Sequence, residues 1–190
     1  GSPETGSEST LTSISWRGVG YVPVPVLPHH VLAVSASGGT ADGTYPRRGL
    51  FSTGGYTDTG PLDAYTSGIL QSTFLLRGYE PGAFRGRQFH LLKAEYRFPI
   101  AYPEFGISTL PGFLRTLSGA LFADYGGAFD TINVDEPFDE MHLGVGGELW
   151  IDLVLGYYVR ANLKLGYANG LDDENKIEGG QFYFVAQSPF

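Results

Sequence analysis

Apolar and polar residues alternate along most of this 190-residue chain. In residues 92–100, the even positions hold Leu, Ala, Tyr, Phe and Ile, whereas the odd positions hold Lys, Glu, Arg and Pro. Successive side chains of a β-strand point to opposite faces. The pattern therefore predicts a strand with one apolar face and one charged face.

The same alternation recurs and predicts a series of strands at residues 10–24, 30–40, 115–130, 141–152, 156–168 and 180–190. Regular strands of about ten residues are typical of an antiparallel transmembrane β-barrel, in which every second side chain faces lipid. Together with the strand at residues 92–100, these make seven predicted strands, whereas a closed antiparallel barrel needs an even number of strands. Either Tyr65 to Leu75 supplies an eighth strand, or the chain is part of a larger barrel.

Composition fits this all-β interpretation. Aromatic residues make up 14% of the chain, yet the mean hydropathy is only -0.06. No stretch approaches the roughly 20 apolar residues of a membrane-spanning helix. Any membrane contact would therefore be made by strands. A soluble β-sandwich would show similar alternation, but it would need a second sheet to cover the apolar face.

The connections predicted between these strands differ in length. The connections at residues 131–140 and 169–179 are long and acidic. On the opposite side of the sheet, Asp152 to Gly156 is expected to be a tight turn and residues 102–113 a longer loop. Long loops on one side and short turns on the other are typical of outer-membrane barrels. The acidic loops are interpreted as a solvated rim, because they lack the ordered spacing of a calcium loop. Residues 44–87 form the longest connection and are rich in Gly, Ser and Thr, as in functional or disordered loops.

Charge and residue types exclude several functions. The net charge of -8 argues against nucleic-acid binding, which selects basic surfaces. The absence of Cys removes disulfides and thiolate metal sites. The four histidines lie in no recognisable motif, and no nucleophile is placed beside them: they are His29, His30, His90 and His142. We therefore expect no enzyme activity, no cofactor and no metal site.

Residues 1–9 are interpreted as an expression-tag remnant and flexible linker. The barrel domain is assigned to residues 10–190. No secretion signal precedes it in this sequence, which a native barrel would need, so we expect a mature or truncated chain.

Several short motifs, in their order and spacing, resemble one family. Leu76-Arg77-Gly78-Tyr79 is similar to the Arg-Gly-Phe/Tyr motif of the BamA/TamA superfamily (bacterial surface antigen superfamily) of outer-membrane assembly and translocation barrels. The similarity runs from about residue 12 to residue 190. Four further segments are similar to the lead-in of the motif loop and to the strands after it: 51–55, 94–99, 122–126 and 144–150. About twenty additional residues separate the lead-in from the arginine.

The resemblance implies a loop that folds back into the barrel and is locked there. The loop residues would be Arg77, Gly78 and Tyr79, and the arginine would bind Glu95 and Asp124 on the inner wall. The alternation independently places both acids on the polar face, and a guanidinium presents a fork of donors that suits two carboxylates. Two interpretations stay open: the trio only fixes the loop, or it also takes part in gating or activity.

The chain's last strand resembles the C-terminal strand signal of outer-membrane proteins, with Phe182, Phe184 and Phe190 as its aromatic residues. Pro189 departs from that pattern, since proline cannot donate to a strand ladder. An ordinary last strand with an aromatic residue at the membrane interface is the alternative.

The implied function is outer-membrane protein assembly or translocation at the bacterial outer membrane. The implied partners are the lipid bilayer, client outer-membrane proteins and the barrel assembly machinery. Family members carry periplasmic domains and a sixteen-stranded barrel, whereas this chain corresponds to about the last seven strands. The alternative is a small structural or pore-type barrel without assembly activity, its lumen filled by a network of charged side chains: Lys93, Glu95, Arg97, Asp124, Glu148, Arg160 and Lys164.

Overall fold

A computed structural model describes residues 11–43, 51–56, 74–106, 112–130, 140–156 and 158–187. Within these residues the chain is all-β and contains no helix. No helix in this described part is long and apolar enough to cross a membrane. The proposed tag and linker at residues 1–9 and the eighth-strand candidate up to residue 73 lie outside it.

Seven long antiparallel strands form the main sheet, and they follow the chain in order from one edge to the other. Their bounds are β1 Leu11–Pro23, β2 Val31–Gly43, β5 Gln88–Ala101, β7 Gly112–Phe129, β8 His142–Leu155, β9 Val159–Gly170 and β10 Gln181–Gln187. A two-residue strand, β6 Phe105–Gly106, pairs with β7 and brings the sheet to eight strands. Among the described residues, β1 and β10 are the two ends of this order and are not paired with each other, so the described sheet is not closed.

The two faces of this sheet differ sharply. One face is covered by residues 51–56, 74–87 and 171–180 and is called the inner face; the opposite side is the outer face. The inner face contains the buried Asp124 and Glu148. The outer face carries large apolar side chains that nothing in the described residues covers, among them Leu121, 57% exposed, and Phe182, 84% exposed. The alternation predicted both faces at these positions.

The connection between β2 and β5, residues 44–87, contains two short strands, β3 Phe51–Thr53 and β4 Phe84–Gly86, which pair with each other. Side chains from this connection pack against the inner face near the loop end of the strands. Leu76 and Tyr79 join Phe89 and Leu91 of β5 in a buried cluster. This part of the inner face is apolar, which the sequence analysis missed because it began the strand at residue 92.

Two predicted connections were wrong in detail. Asp152 to Gly156 is not a turn: β8 continues through Leu155, and the hairpin bend follows at Gly156, whose φ of 57° is in the left-handed region. The Tyr158 N–H donates to the Leu155 carbonyl across this bend. The predicted loop at 102–113 overlaps β6 and the start of β7. In both places the alternation is weak where the strand ends, so sequence alone placed the boundary incorrectly.

Candidate functional site

Arg77 lies on the inner face with only 3% of its surface exposed, and three carboxylates surround it. Its Nε and Nη2 donate to the two oxygens of Asp124, each at 2.6 Å. Its Nη1 lies 2.8 Å from Glu148 Oε1 and 3.2 Å from Glu95 Oε1. The Asp124 pair is the bidentate geometry that makes Arg–carboxylate pairs strong. The structure thus brings the two acids named from sequence against Arg77, together with a third.

Glycines on two adjacent strands make room for the Arg77 loop. Asp124 of β7, Gly144 of β8 and Gly170 of β9 are consecutive partners in one row across the sheet. A Cβ at Gly144 would overlap the Arg77 carbonyl oxygen, and one at Gly170 would approach the Gly78 oxygen to 2.9 Å. The loop backbone can therefore lie directly on the sheet beside the acid that binds its side chain.

Gly78 is required by the loop itself. Its φ of 95° is in the left-handed region that side-chain-bearing residues seldom adopt. A Cβ there would also lie 2.5 Å from the backbone of Asn169 and Gly170. The Arg-Gly-Tyr order thus combines a charged anchor, a residue that permits the bend, and an aromatic ring.

Tyr79 is fully buried and fixes the other end of the motif. Its hydroxyl lies 2.8 Å from the Leu143 carbonyl oxygen and 2.9 Å from Asp172 Oδ2, so its one proton can be donated to either. Burial raises the pKa of this phenol, which stays protonated as a donor. Asp172 also accepts from the Leu143 N–H at 2.8 Å. This N–H holds the pKa of the carboxyl below its usual range.

The β9–β10 connection, residues 171–180, closes over the motif. The Glu80 N–H donates to the Asn175 carbonyl, and the Ile177 N–H donates to the Gly78 carbonyl. Tyr79 and Lys176 form an antiparallel bridge. The interpretation of this acidic connection as only a solvated rim was wrong for Asp172. The other acidic connection, at 131–140, is described only at residue 140.

The glycine-containing lead-in, residues 51–55, lies beside the motif despite the residues that separate them in sequence. Gly54 and Leu75 form a parallel bridge, and the Leu76 N–H donates to the Gly54 carbonyl at 2.8 Å. The Gly55 N–H donates to the Glu80 carbonyl. The lead-in backbone is therefore bonded to residues on both sides of the Arg77-Gly78-Tyr79 motif.

A second layer of contacts fixes the carboxylates. Tyr183 of β10 and Trp150 of β8 each donate to Glu148 at 2.6 Å. Glu95 accepts from Arg97, two residues along β5. The Arg77 guanidinium carbon lies 3.4 Å from the centre of the Phe122 ring. Buried charges are tolerated when hydrogen bonds and opposite charges satisfy them in this way.

Sequence reasoning named Glu148 only in the charge network of the pore-type alternative, and it did not name Tyr183 or Phe122 as members of the site. All three lie on the same side of their strands as Asp124 does, but this parity does not say which strands a loop arginine reaches. Glu148 and Tyr183 meet because β8 and β10 both pair with β9, which lies between them. That neighbourhood depends on strand order, which the chain's local pattern does not encode.

The C-terminal strand residues are described in part. Phe182 and Phe184 point from the outer face of β10, and the Phe182 ring packs on Tyr167 of β9 with centroids 4.8 Å apart. Phe190 and Pro189 lie outside the described residues. Any role as an assembly signal stays a prediction.

The described residues contain no group of three or more His, Asp or Glu side chains placed to hold a metal. His142 is buried and stacks on the Phe84 ring with centroids 4.0 Å apart. His30 contacts the Tyr96 hydroxyl at 2.6 Å. These two histidines have packing partners, and the expected absence of enzyme activity stays a prediction. Neither any protein-family model nor any curated protein matches this chain.

Proposed function

We propose that this chain is part of a membrane-spanning β-barrel of the bacterial outer membrane, similar to the BamA/TamA superfamily in its role in outer-membrane protein assembly or translocation. One observation supports the membrane location: large apolar side chains lie on the outer face of successive strands, while charged side chains lie on the inner face. Examples on the outer face are Leu92 of β5, Leu121 of β7, Leu165 of β9 and Phe184 of β10, all between 43% and 57% exposed. Hydrocarbon is the solvent that favours this arrangement.

The soluble alternative is weaker because it needs a second sheet on the outer face. The only other sheet in the described residues, β3 with β4, lies on the inner face, where Phe51 packs on Phe89 at 4.7 Å. A contiguous apolar surface of this extent is unusual on a soluble monomer. An inner layer of ion pairs would be an equally unusual core.

The assembly part of the proposal is supported by the loop geometry and by the resemblance of the motifs. The Arg77 loop lies against the inner face on acids at the positions that the resemblance implies. The unpaired edges of β1 and β10 would pair with strands of a larger barrel or with a client strand, since unpaired backbone is costly in lipid. A small structural or pore-type barrel is the alternative, and the inner ion-pair network is compatible with it.

The membrane proposal is tested by folding the chain into detergent micelles and into lipid vesicles. A lipid-facing sheet should require amphiphile to remain monodisperse, and its strands should be protected from protease in vesicles. A chain that stays monomeric and folded in detergent-free buffer would refute the membrane location. Heat-modifiable gel migration would report whether a stable barrel forms.

Assembly activity needs a separate measurement. Vesicles containing the folded chain should accelerate insertion of a small outer-membrane protein relative to empty vesicles. Sustained ion current across a planar bilayer, without any acceleration of insertion, would instead favour the pore-type alternative.

A further inference from the structure

A cavity of about 380 Å³ lies on the inner face beside the Arg77 site, bounded by β1, β2 and β5 on one side and by Tyr56, β9 and β10 on the other. This volume is within the range of about 300 to 1,000 Å³ that is typical of small-molecule sites. The contacts described above leave the cavity itself without an assigned role.

The cavity lining is basic in an acidic chain. Among the described residues, five Lys and Arg side chains line the cavity, against two Asp and Glu side chains. The basic residues are Arg17, Arg77, Lys93, Arg97 and Lys164. The acidic ones are Glu95 and Glu148. Even when Asp124 beneath Arg77 is added, five cations face three carboxylates.

The carboxylates are already engaged by specific partners. Asp124 is bound at both oxygens by Arg77, and Glu148 accepts from Arg77, Trp150 and Tyr183. Glu95 contacts Arg77 and Arg97. The described ion pairs of these carboxylates are with Arg77 and Arg97, so the surplus positive charge lies toward β1 and β9, where Arg17 and Lys164 line the cavity. Lys164 also interacts electrostatically with Glu148 and Glu95.

Trp150 contacts two of these cations. The Arg97 guanidinium carbon lies 4.7 Å from the Trp150 ring centre, and Lys164 Nζ lies 4.2 Å from it. A cation over an aromatic face gains a modest attraction. The ring thus helps to hold an arginine and a lysine at the cavity wall, and both residue types bind phosphate. The Arg97 Nε and Nη2 already donate to Glu95, so its Nη1 is the group that would reach the phosphate.

We propose that this cavity is a binding site for a phosphate group, either as free phosphate or as the head of an anionic phospholipid. A dianionic oxyanion would offset the surplus positive charge and accept hydrogen bonds from Lys164, Arg17 and Arg97. A phosphate has several acceptor oxygens that can reach separate lining cations at once, whereas chloride is a single acceptor atom, so the cavity is expected to favour phosphate over chloride. Only the lipid source of the phosphate rests on the proposed membrane location.

The test uses Trp150 as its own reporter. The chain has two tryptophans, and Trp16 lies on exposed β1. Trp16→Phe therefore leaves one indole, Trp150, which contacts the lining residues Arg97 and Lys164. This variant, folded in phosphate-free micelles, is titrated with inorganic phosphate and, separately, with sodium chloride at matched ionic strength. A saturable change in Trp150 emission with phosphate alone is expected.

Two substitutions in that background locate the site. Lys164→Gln and Arg17→Gln each remove one lining cation without removing a ligand of Arg77. Each change should weaken phosphate binding by about tenfold or more, since a charged hydrogen bond contributes about 1.5–3 kcal/mol. Arg160→Gln is the matched control: it lies four residues from Lys164 on β9 but does not line the cavity. Equal affinities in all three variants would overturn the proposal.

Binding of a lipid phosphate is distinguished from binding of free phosphate by adding phosphatidic acid or diacylglycerol to the micelles. These lipids share their acyl chains and differ by the phosphate. A response to phosphatidic acid, but not to inorganic phosphate or diacylglycerol, assigns the site to a lipid head. A response to neither phosphate source overturns the proposal, and this result would leave the detergent and vesicle tests of the membrane location unaffected.

Discussion

The inner face at Arg77 and the outer face at Leu121 are built by the same strands, yet the inner face buries charged side chains and the outer face exposes apolar ones. Asp124 on β7 is fully buried and bound at both oxygens, whereas Leu121, three residues earlier on that strand, is 57% exposed. In a soluble sheet the carboxylate would face solvent and the leucine would be covered. The polar side of this sheet is therefore its buried side.

The largest expected effect is from Arg77→Ala. It would leave Asp124, Glu148 and Glu95 close together without their shared cation, and breaking a buried ion pair costs about 3–5 kcal/mol. The free energy of unfolding, measured by urea titration in micelles, should fall by that amount, and protease should cut the loop more readily. Arg87→Ala is the control, because the Arg87 side chain is 46% exposed and lies 4.0 Å from Asp42. If both variants unfold alike, the Arg77 site does not hold the loop.

Leu121→Arg tests whether the outer face contacts lipid. If Leu121 faces hydrocarbon, an arginine near the bilayer midplane should lower the free energy of unfolding in vesicles by about 2–4 kcal/mol. Leu171→Arg is the matched control, since Leu171 is similarly exposed at 52% but lies in the β9–β10 connection. An equal and small effect of both changes would show that the outer face does not contact lipid.

Gly144→Ala tests the fit of the loop on the sheet without altering any charge. The added methyl group would overlap the Arg77 carbonyl oxygen, and overpacking of this kind typically costs about 1–3 kcal/mol. We expect faster proteolysis within residues 74–83 and a matching loss of stability. Gly112→Ala provides the comparison, because a Cβ there meets nothing within 4 Å. Unchanged loop protection in Gly144→Ala would mean that close backbone approach is not required.

The smallest effect is expected at Asp172. Its pKa is depressed in the folded state, mainly by the Leu143 N–H, so its contribution to stability is present above the ordinary pKa and is lost as pH falls through the lower folded pKa. The side chain is 46% exposed, so solvent screening should keep the contribution below about 1 kcal/mol.

The measurement for Asp172 is the free energy of unfolding of the native chain and of Asp172→Asn between about pH 6 and pH 2, a range that spans the ordinary carboxyl pKa of about 3.9. The two curves should converge toward the acidic end. A difference that stays constant over this range would exclude titration of Asp172 as its cause.

The seven long strands and their two faces could be predicted from the amino-acid pattern alone. The alternation placed Glu95, Asp124 and Glu148 on one side and Leu121, Leu165 and Phe184 on the other, because side-chain direction in a strand follows from local backbone geometry. It also marked Arg77-Gly78-Tyr79 as a loop motif. Residues 88–91 of β5 were missed because Phe89 and Leu91 are apolar on the inner face, where the loop packs on them.

Which side chains contact one another depends on the tertiary fold. Glu148 reaches Arg77, and Tyr183 reaches Glu148, because strands distant in sequence are brought together across the sheet. Asp172 contacts Tyr79 because the β9–β10 connection folds over the motif. The grouping of Arg17 with Lys164 around one cavity likewise depends on β1 and β9 facing the same interior. Such contacts are set by strand order and loop closure over long sequence separations, and local periodicity carries no information about either.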